Sequence, residues 1–566
     1  MTHVVGAILL LLAASVPVPA APDLTGIWRS AGSDTPALAG TVTVERRREG
    51  WFATVGGVDA DSSTDTVSFA QHQGELRLAL SGHELDGMWI QPGSPIDSNA
   101  YATPLRFRAG GNDRWSASLR PYTPRYELFV TFTRRADGSL AGFIRDPIGN
   151  FGTMAPFDSV TVAGTALSIV TRAHHYTGSL TDDPNTISIH IGTGSPMTFH
   201  RVDGTGALGF LPRTGFDDSA PEKPVENGDG WSTASLIDAG IDPAPIVSIV
   251  HTLASEAPAS PRAPYLQGLL VARNGRLVLD EYFYGFDAAT PHDVRSAGKS
   301  LDAALFGIAL TMNPRLDVTA PVMQWLPYTT YENADPRKSR MTIANLFDMT
   351  SGLACDDNDD NSPGNEDTMQ SQTAQSDWYK YMMDLPMQRE PGAEPAVYCS
   401  GGLNILGGII ARATHAWTPQ LFDERFARPL QFGEYHLQLT PGNEMYLGGG
   451  SYFLPRDFIK LGQLFLQQGR WMGRRLFSTD WAAQAVRPQS GLTAPGDYGY
   501  AWHLTTYAAN GTTFPAYEAQ GNGGQYLIVV PKLQLVIGIL SANYGDYFTW
   551  RTFHDLIAQP IVAACR

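Results

Sequence analysis

The chain has 566 residues, a formal net charge of −16 and only 17% charged residues. That is length for roughly two to four domains, without the surplus of cations that a phosphate backbone demands, so nucleic acid is excluded as a partner. Its 57 glycines and 39 prolines imply a folded chain rich in turns, and its three cysteines carry no C-x-x-C spacing. With no H-E-x-x-H or other paired ligand motif, no metal is expected.

Residues 1–20 read as a signal peptide. Val4 to Leu12 is almost wholly apolar but too short to span a bilayer, and Val18-Pro19-Ala20 offers small residues for cleavage after Ala20. Met1-Thr2-His3 lacks the usual Lys or Arg, which leaves a buried strand as the alternative. Later apolar runs are broken by Arg412 and Lys532, so no membrane span is expected and the mature protein is placed in a periplasm or outside the cell.

Residues 23–214 alternate at period two, as in Val42/Val44, Leu76/Leu78/Leu80, Leu128/Val130/Phe132 and Ile187/Ile189/Ile191. This predicts an all-β accessory domain, a barrel or sandwich. The β-meander resembles a lipocalin; Gly26-Ile27-Trp28 matches that family's G-x-W element, and Gly87-Met88-Trp89 matches it equally. Such a barrel could capture a ligand or simply pack on its neighbour. Residues 215–230 (GFDDSAPEKPVENGDG) have no periodicity and read as a linker. From 231 to 566 helical stretches such as Leu301 to Leu310 and Asp457 to Gln467 lie between strands such as Gly268 to Arg273 and Tyr526 to Val530. The predicted fold is α+β, an antiparallel sheet joining the two ends of this region and flanked by helices.

Of the six lysines, Lys299 alone has a serine three residues earlier, in Ser296-Ala297-Gly298-Lys299. Leu301, Ala304, Leu305 and Ile308 follow at helical spacing, placing Ser296 at the entrance of a buried helix and Lys299 one turn along the same face. A serine hydroxyl needs a base within reach, burial disfavours an ammonium, and a helix start offers N–H groups to a developing oxyanion. No serine has glycine both two before and two after it, so the G-x-S-x-G elbow is absent.

In that setting the C-terminal half resembles the serine β-lactamase and penicillin-binding superfamily, in particular the class C β-lactamase-like serine hydrolases (S-x-x-K type). Arg295 to Ser300 resembles the nucleophile segment, Leu316-Asp317-Val318 through Trp325-Leu326-Pro327 the connector, and Met341-Thr342-Ile343 through Met349-Thr350-Ser351-Gly352-Leu353 the family's hallmark stretch. Tyr398-Cys399-Ser400 matches the Tyr motif, Gly448 to Asp457 the glycine-rich turn and Tyr498 to Trp502 a terminal strand. The resemblance implies Ser296 as acylated nucleophile, Lys299 as its proton partner and Tyr398 as the phenol serving the leaving group and the hydrolytic water. A phenol of reference pKa about 10 is a weak base unless a positive charge sits beside it. It further implies an oxyanion hole from the N–H groups of Ser296 and Gln525, and substrate contacts at Ser400, Asn522, Gly523 and Gly524.

Two positions depart from the pattern. Ser400 stands where the family often has Asn, and Asn522 where the strand motif has Lys or His, which argues against an anionic substrate. The alternative reading of Gly521 to Gly524 is a plain hairpin turn. The family fold would bring Cys355 and Cys399 to one cleft rim, where a disulfide is expected in an oxidising compartment; Cys565 is left unpaired. Asp356 to Asp360 lacks the glycine and distal Glu of an EF-hand and reads as a solvated or internally bonded loop.

The function expected from these residues is ester or amide hydrolysis through an acyl-enzyme, on a small-molecule or peptide substrate and with no cofactor. A D-amino-acid peptidase or β-lactamase of the same fold is the alternative chemistry, and a non-catalytic ligand-binding or sensor protein the alternative class. The oligomeric state is left open.

Overall fold

The computed structural model describes residues 23–69, 73–149, 156–192, 194–213, 221–255, 258, 260–372 and 376–566; the signal-peptide stretch lies outside them. By contacts the chain divides into two compact units, one of Met1–Ser30, Phe129–Ile144 and Ala155–Asp203, the other of Ala31–Leu128, Arg145–Met154 and Gly204–Arg566.

The smaller unit is built on an eight-stranded sheet in the order Leu140–Arg145, Arg125–Arg134, Gly26–Ser33, Met197–Val202, Thr186–Ile189, His175–Leu180, Ala166–Thr171, Phe157–Ala163. A bridge between Phe143 and Pro156 joins the two edges, so the sheet is nearly closed like a barrel. Closure hides the free N–H and C=O rows that would otherwise recruit another strand. The alternation read from sequence faces inward as Leu167, Ile169, Ile187, Ile189 and Phe199, all buried. Trp28 is fully buried, donating its indole N–H to Leu24 O at 2.9 Å under the Arg201 guanidinium. Of the two G-x-W matches, Gly26-Ile27-Trp28 lies in this sheet and Gly87-Met88-Trp89 in the other unit.

The larger unit departs from the linear boundary expected at 215–230, because residues 31–128 belong to it. Strand Ala100–Arg106 pairs antiparallel with Tyr435–Leu439, Leu437 opposite Ala102. Arg106 and Arg428 both bind Asp423, and Arg428 also reaches Asp86 at 2.7 Å. A strand edge must find a partner, and here the partner lies more than 300 residues away in the chain, beyond the reach of any local pattern. The resulting sheet runs His292–Asp293, Tyr452–Phe453, Tyr435–Leu439, Ala100–Arg106, Glu84–Gln91, Gly74–Ser81, Thr66–Phe69. A five-stranded sheet (Gly40–Arg47 central) shares a core with it through Val42, Val44, Trp51, Leu76, Trp89 and Trp115. Of the expected linker, residues 221–230 are described and tied down: Arg456 donates to Val225 O at 2.9 Å and pairs with Asp229.

The third sheet is the one that sequence placed across both ends of the C-terminal region. It runs Ser232–Thr233, Arg276–Tyr282, Leu266–Arg273, Leu535–Ser541, Gln525–Val530, Thr512–Gly521, His503–Ala509, antiparallel except at Ser232–Thr233. Its two faces separate at period two: Leu270, Leu527 and Val529 join the helical core, while Leu269, Val271, Ile528 and Ile539 join the core under helices Pro243–Ser255 and Gln559–Ala564. Each such aliphatic side chain contributes about 2 kcal/mol by leaving water. On the first face helix Pro455–Leu466 comes so close that a Cβ at Gly538 would lie 2.3 Å from Ile459 Cγ2. Helices Lys299–Met312 and Ser400–Thr414 pack together at the centre, each buried on nearly every side. Among the described residues no helix is long and apolar enough to cross a membrane.

Candidate active site

The nucleophile segment is held by the sheet that runs in from the N-terminal hairpins. Asp293 is opposite Tyr452, Val294 N–H donates to Ser451 O at 3.1 Å, and Arg295 follows in the left-handed region at φ 48°. That backbone is costly for a side-chain-bearing residue. It is fixed by Asp293, whose carboxylate accepts Arg295 N–H at 2.8 Å and pairs with its guanidinium. A 3-10 turn, Arg295–Gly298, then leads into helix Lys299–Met312. Two glycines let neighbouring backbone close in on this turn. A Cβ at Gly449, φ 116°, would lie 2.4 Å from Arg295 O, and one at Gly521 would lie 2.6 Å from Val294 O.

Lys299 Nζ donates to Ser296 Oγ at 2.7 Å and to Gly448 O at 2.6 Å, and stands 5.0 Å from the centre of the Tyr398 ring. Lys299 is fully buried, which by itself disfavours the ammonium; the Tyr398, Glu366 and Asp357 charges more than offset this and hold its pKa above the ordinary lysine range. Its surroundings are anionic and favour the ammonium form.

Tyr398 is half-buried in the segment before helix Ser400–Thr414, next to the Cys355–Cys399 disulfide, whose Cα atoms are 5.6 Å apart. Cys565 is free. Ser400 is fully buried and donates its hydroxyl to Asp357 Oδ2 at 2.7 Å, so the oxygen expected to meet substrate is spent on a carboxylate. Residues 522–524 connect strand Thr512–Gly521 to Gln525–Val530, and this hairpin turn is also the piece of chain beside the nucleophile. Asn522 is half-buried with Oδ1 accepting Gly545 N–H at 2.8 Å. Gly523 and Gly524 have φ 93° and 91°, and a Cβ there would strike Tyr544 or Phe553. Gln525 is buried, its amide bonded to the backbone of Ser541 in both directions. Arg295, which faces the Tyr544 ring at 5.2 Å, is neutralised by Asp293 and supplies no free cation to replace the one missing at Asn522.

Asp357, Glu366 and Tyr446 were not singled out from sequence. Asp357 sits inside an acidic run whose other members, Asp356 and Asp359, do cap their own turns as expected, through Asn358 and Asn361. Nothing in the residue pattern distinguishes the one that turns inward.

Residues 263–558, just over half of the chain, match the Beta-lactamase family model. The chain belongs to the beta-lactamase family. Solved structures with a similar fold include a family VIII carboxylesterase (18% identity, 52% of this chain and 91% of that chain, TM-score 0.40). A penicillin-binding protein homologue from Caulobacter crescentus (15% identity, 57% and 97%, 0.43) and a D-stereospecific amidohydrolase from Streptomyces (15%, 51% and 94%, 0.38) are similar in the same way. In this beta-lactamase-family chain Ser296, Lys299, Tyr398 and Gln525 all fall inside the matched stretch. The family is one of hydrolases.

Proposed function

We propose that the chain is an exported, class C-like serine hydrolase that cleaves an ester or amide through an acyl-enzyme on Ser296. The observation that carries this reading is the bond at 2.7 Å from the buried Lys299 Nζ to Oγ of the half-buried Ser296. Ser296 Oγ attacks the substrate carbonyl and its proton passes to Tyr398, which enters this step as the phenolate favoured by the positive charge of Lys299 beside it. The bond to the leaving group breaks, and Tyr398 hands that group the proton. Water then gives a proton to the Tyr398 phenolate left by that transfer and attacks the acyl carbonyl; the acyl–Oγ bond breaks and Tyr398 returns the proton to Ser296 Oγ. Backbone N–H groups of Ser296 and Gln525 receive the oxyanion, a contribution of the size that costs about 10²- to 10³-fold in rate when one donor is lost. Lys299 acts in this scheme as a fixed positive charge rather than as the base.

Substrate choice follows from charge. Asn522 offers no cation, Arg295 is paired with Asp293, and Asp357 and Glu366 lie behind Lys299. Neutral esters and amides are therefore the favoured class, ahead of penicillins and D-amino-acid peptides with their carboxylates.

Mass spectrometry after a fluorophosphonate is expected to find one adduct, on Ser296, and after benzylpenicillin none. No fluorophosphonate adduct would establish the non-catalytic alternative; efficient penicillin turnover would overturn the reading of Asn522.

A further inference from the structure

Two carboxyl groups outside the Ser296, Lys299, Tyr398 set tie its members together. Asp357 brackets Tyr398: its N–H donates to Tyr398 O at 2.9 Å, and its Oδ2 accepts both the N–H and the hydroxyl of Ser400 at 2.7 Å. Its other oxygen accepts the N–H of Glu366 at 2.9 Å. Glu366 in turn lies 3.3 Å from the same Ser400 hydroxyl and accepts from the Tyr446 phenol at 2.6 Å and from Gln370 at 3.2 Å. Tyr446 is two residues before Gly448, whose carbonyl holds Lys299. One carboxyl group grips the Tyr398 segment, the other the turn that grips Lys299, and Ser400 bridges them.

We propose that Asp357 and Glu366 are positioning residues of this site, which fix the Tyr398 segment and keep Lys299 charged, a role that rests on the Ser296 acyl-enzyme reading above. Their charge reaches Lys299 because burial leaves little water to screen it. The cost shows in Asp357 itself: burial first, then the neighbouring Glu366, push its carboxyl up to about 6, with Lys299 and Ser400 pulling back. The other groups facing this cluster are accounted for. Asp302, one turn along from Lys299, is held well above the carboxylate range by burial with Lys299 pulling back, and His503 is lowered to about 4 by burial, so the imidazole is neutral near pH 7. On the Glu366 side, the Tyr446 phenol is raised by burial, and the Asp367 and Asp293 carboxyls are raised by burial, Asp293 being steadied by Arg295. As pH falls through about 6 Asp357 takes up a proton, and its grip on Ser400, and so on the Tyr398 segment, weakens.

The test is the pH dependence of the fluorophosphonate labelling rate at Ser296. In the wild type the rate is expected to fall on the acid side near pH 6. An opposite charge at this range shifts a pKa by about 1–3 units. Asp357→Asn is accordingly expected to lower the alkaline limb, where Lys299 deprotonates, by about one unit or more. Its acid limb near pH 6 should disappear, because the carboxyl that titrates there is gone. Glu366→Gln removes a neighbouring charge without touching the bonds that bracket Tyr398, and is expected to lower both limbs, the acid one because Asp357 loses its like-charged neighbour; it decides the matter alone if Asp357→Asn does not fold. Unmoved limbs in Glu366→Gln, whatever its melting temperature, overturn the positioning role. Failure of the wild type to label overturns the acyl-enzyme reading instead.

Discussion

Lys299 and Lys460 are both fully buried, and each bonds to the residue three before it. Lys460 meets Asp457 at 2.6 Å and Gln431 O at 2.9 Å, a direct ion pair inside helix Pro455–Leu466. Lys299 meets a hydroxyl and a carbonyl, and the carboxyl groups that keep it charged are not among its hydrogen-bond partners. The difference separates structure from chemistry. A lysine whose charge is cancelled by contact stabilises a helix, whereas one whose charge is balanced from a distance keeps its contact position for a nucleophile.

Breaking the two pairs should therefore have opposite signatures. Ser296→Ala is expected to lower ester turnover by at least about 10³-fold with the melting temperature unchanged, and Lys299→Ala to cost a similar factor, since the members of an activated pair fail together. Hydrolysis of nitrophenyl acetate checks both; residual activity within tenfold of wild type removes Ser296 from the mechanism. Asp457→Ala leaves Lys460 buried without its partner and is expected to cost about 3–5 kcal/mol of stability by denaturant unfolding, with activity per folded molecule retained. Lost activity in a stable Asp457→Ala protein would erase the distinction between the two lysines.

A smaller effect is expected at the disulfide that pins the Tyr398 segment. Cys355 and Cys399 close a loop of sequence separation 44, and reduction should cost about 3–4 kcal/mol, lowering the melting temperature in reductant. The smallest concerns specificity. Asn522→Lys restores a cation beside the nucleophile turn and should raise penicillin acylation measurably while leaving ester hydrolysis within a few-fold; no gain would mean that this position does not meet the substrate.

Much of the site was legible in sequence because its parts are local. Ser296 and Lys299 share one turn of chain, the apolar spacing from Leu301 announces a buried helix, and the motifs from Met341 to Tyr500 stand in a recognisable order. The closing strands were legible for the same reason: Leu266–Arg273 and Gln525–Val530 are near-continuous apolar runs that only a sheet buried on both faces accommodates. Asp357 and Glu366 were not, since an acidic residue reads as solvated until the fold shows that Ser400 and Tyr446 are what it bonds to.

What the sequence by itself determined is the periodicity of each element and the identity of the groups able to react, both set by side chains within a few residues of one another. Tertiary structure alone decided that residues 31–128 join the hydrolase unit through Ala100–Arg106 against Tyr435–Leu439, and that the sheet so formed ends at Asp293, three residues before the nucleophile. It also decided which groups surround Lys299. Strand pairing satisfies backbone groups that carry no sequence label, and the charge of a buried amine depends on what folding brings near it.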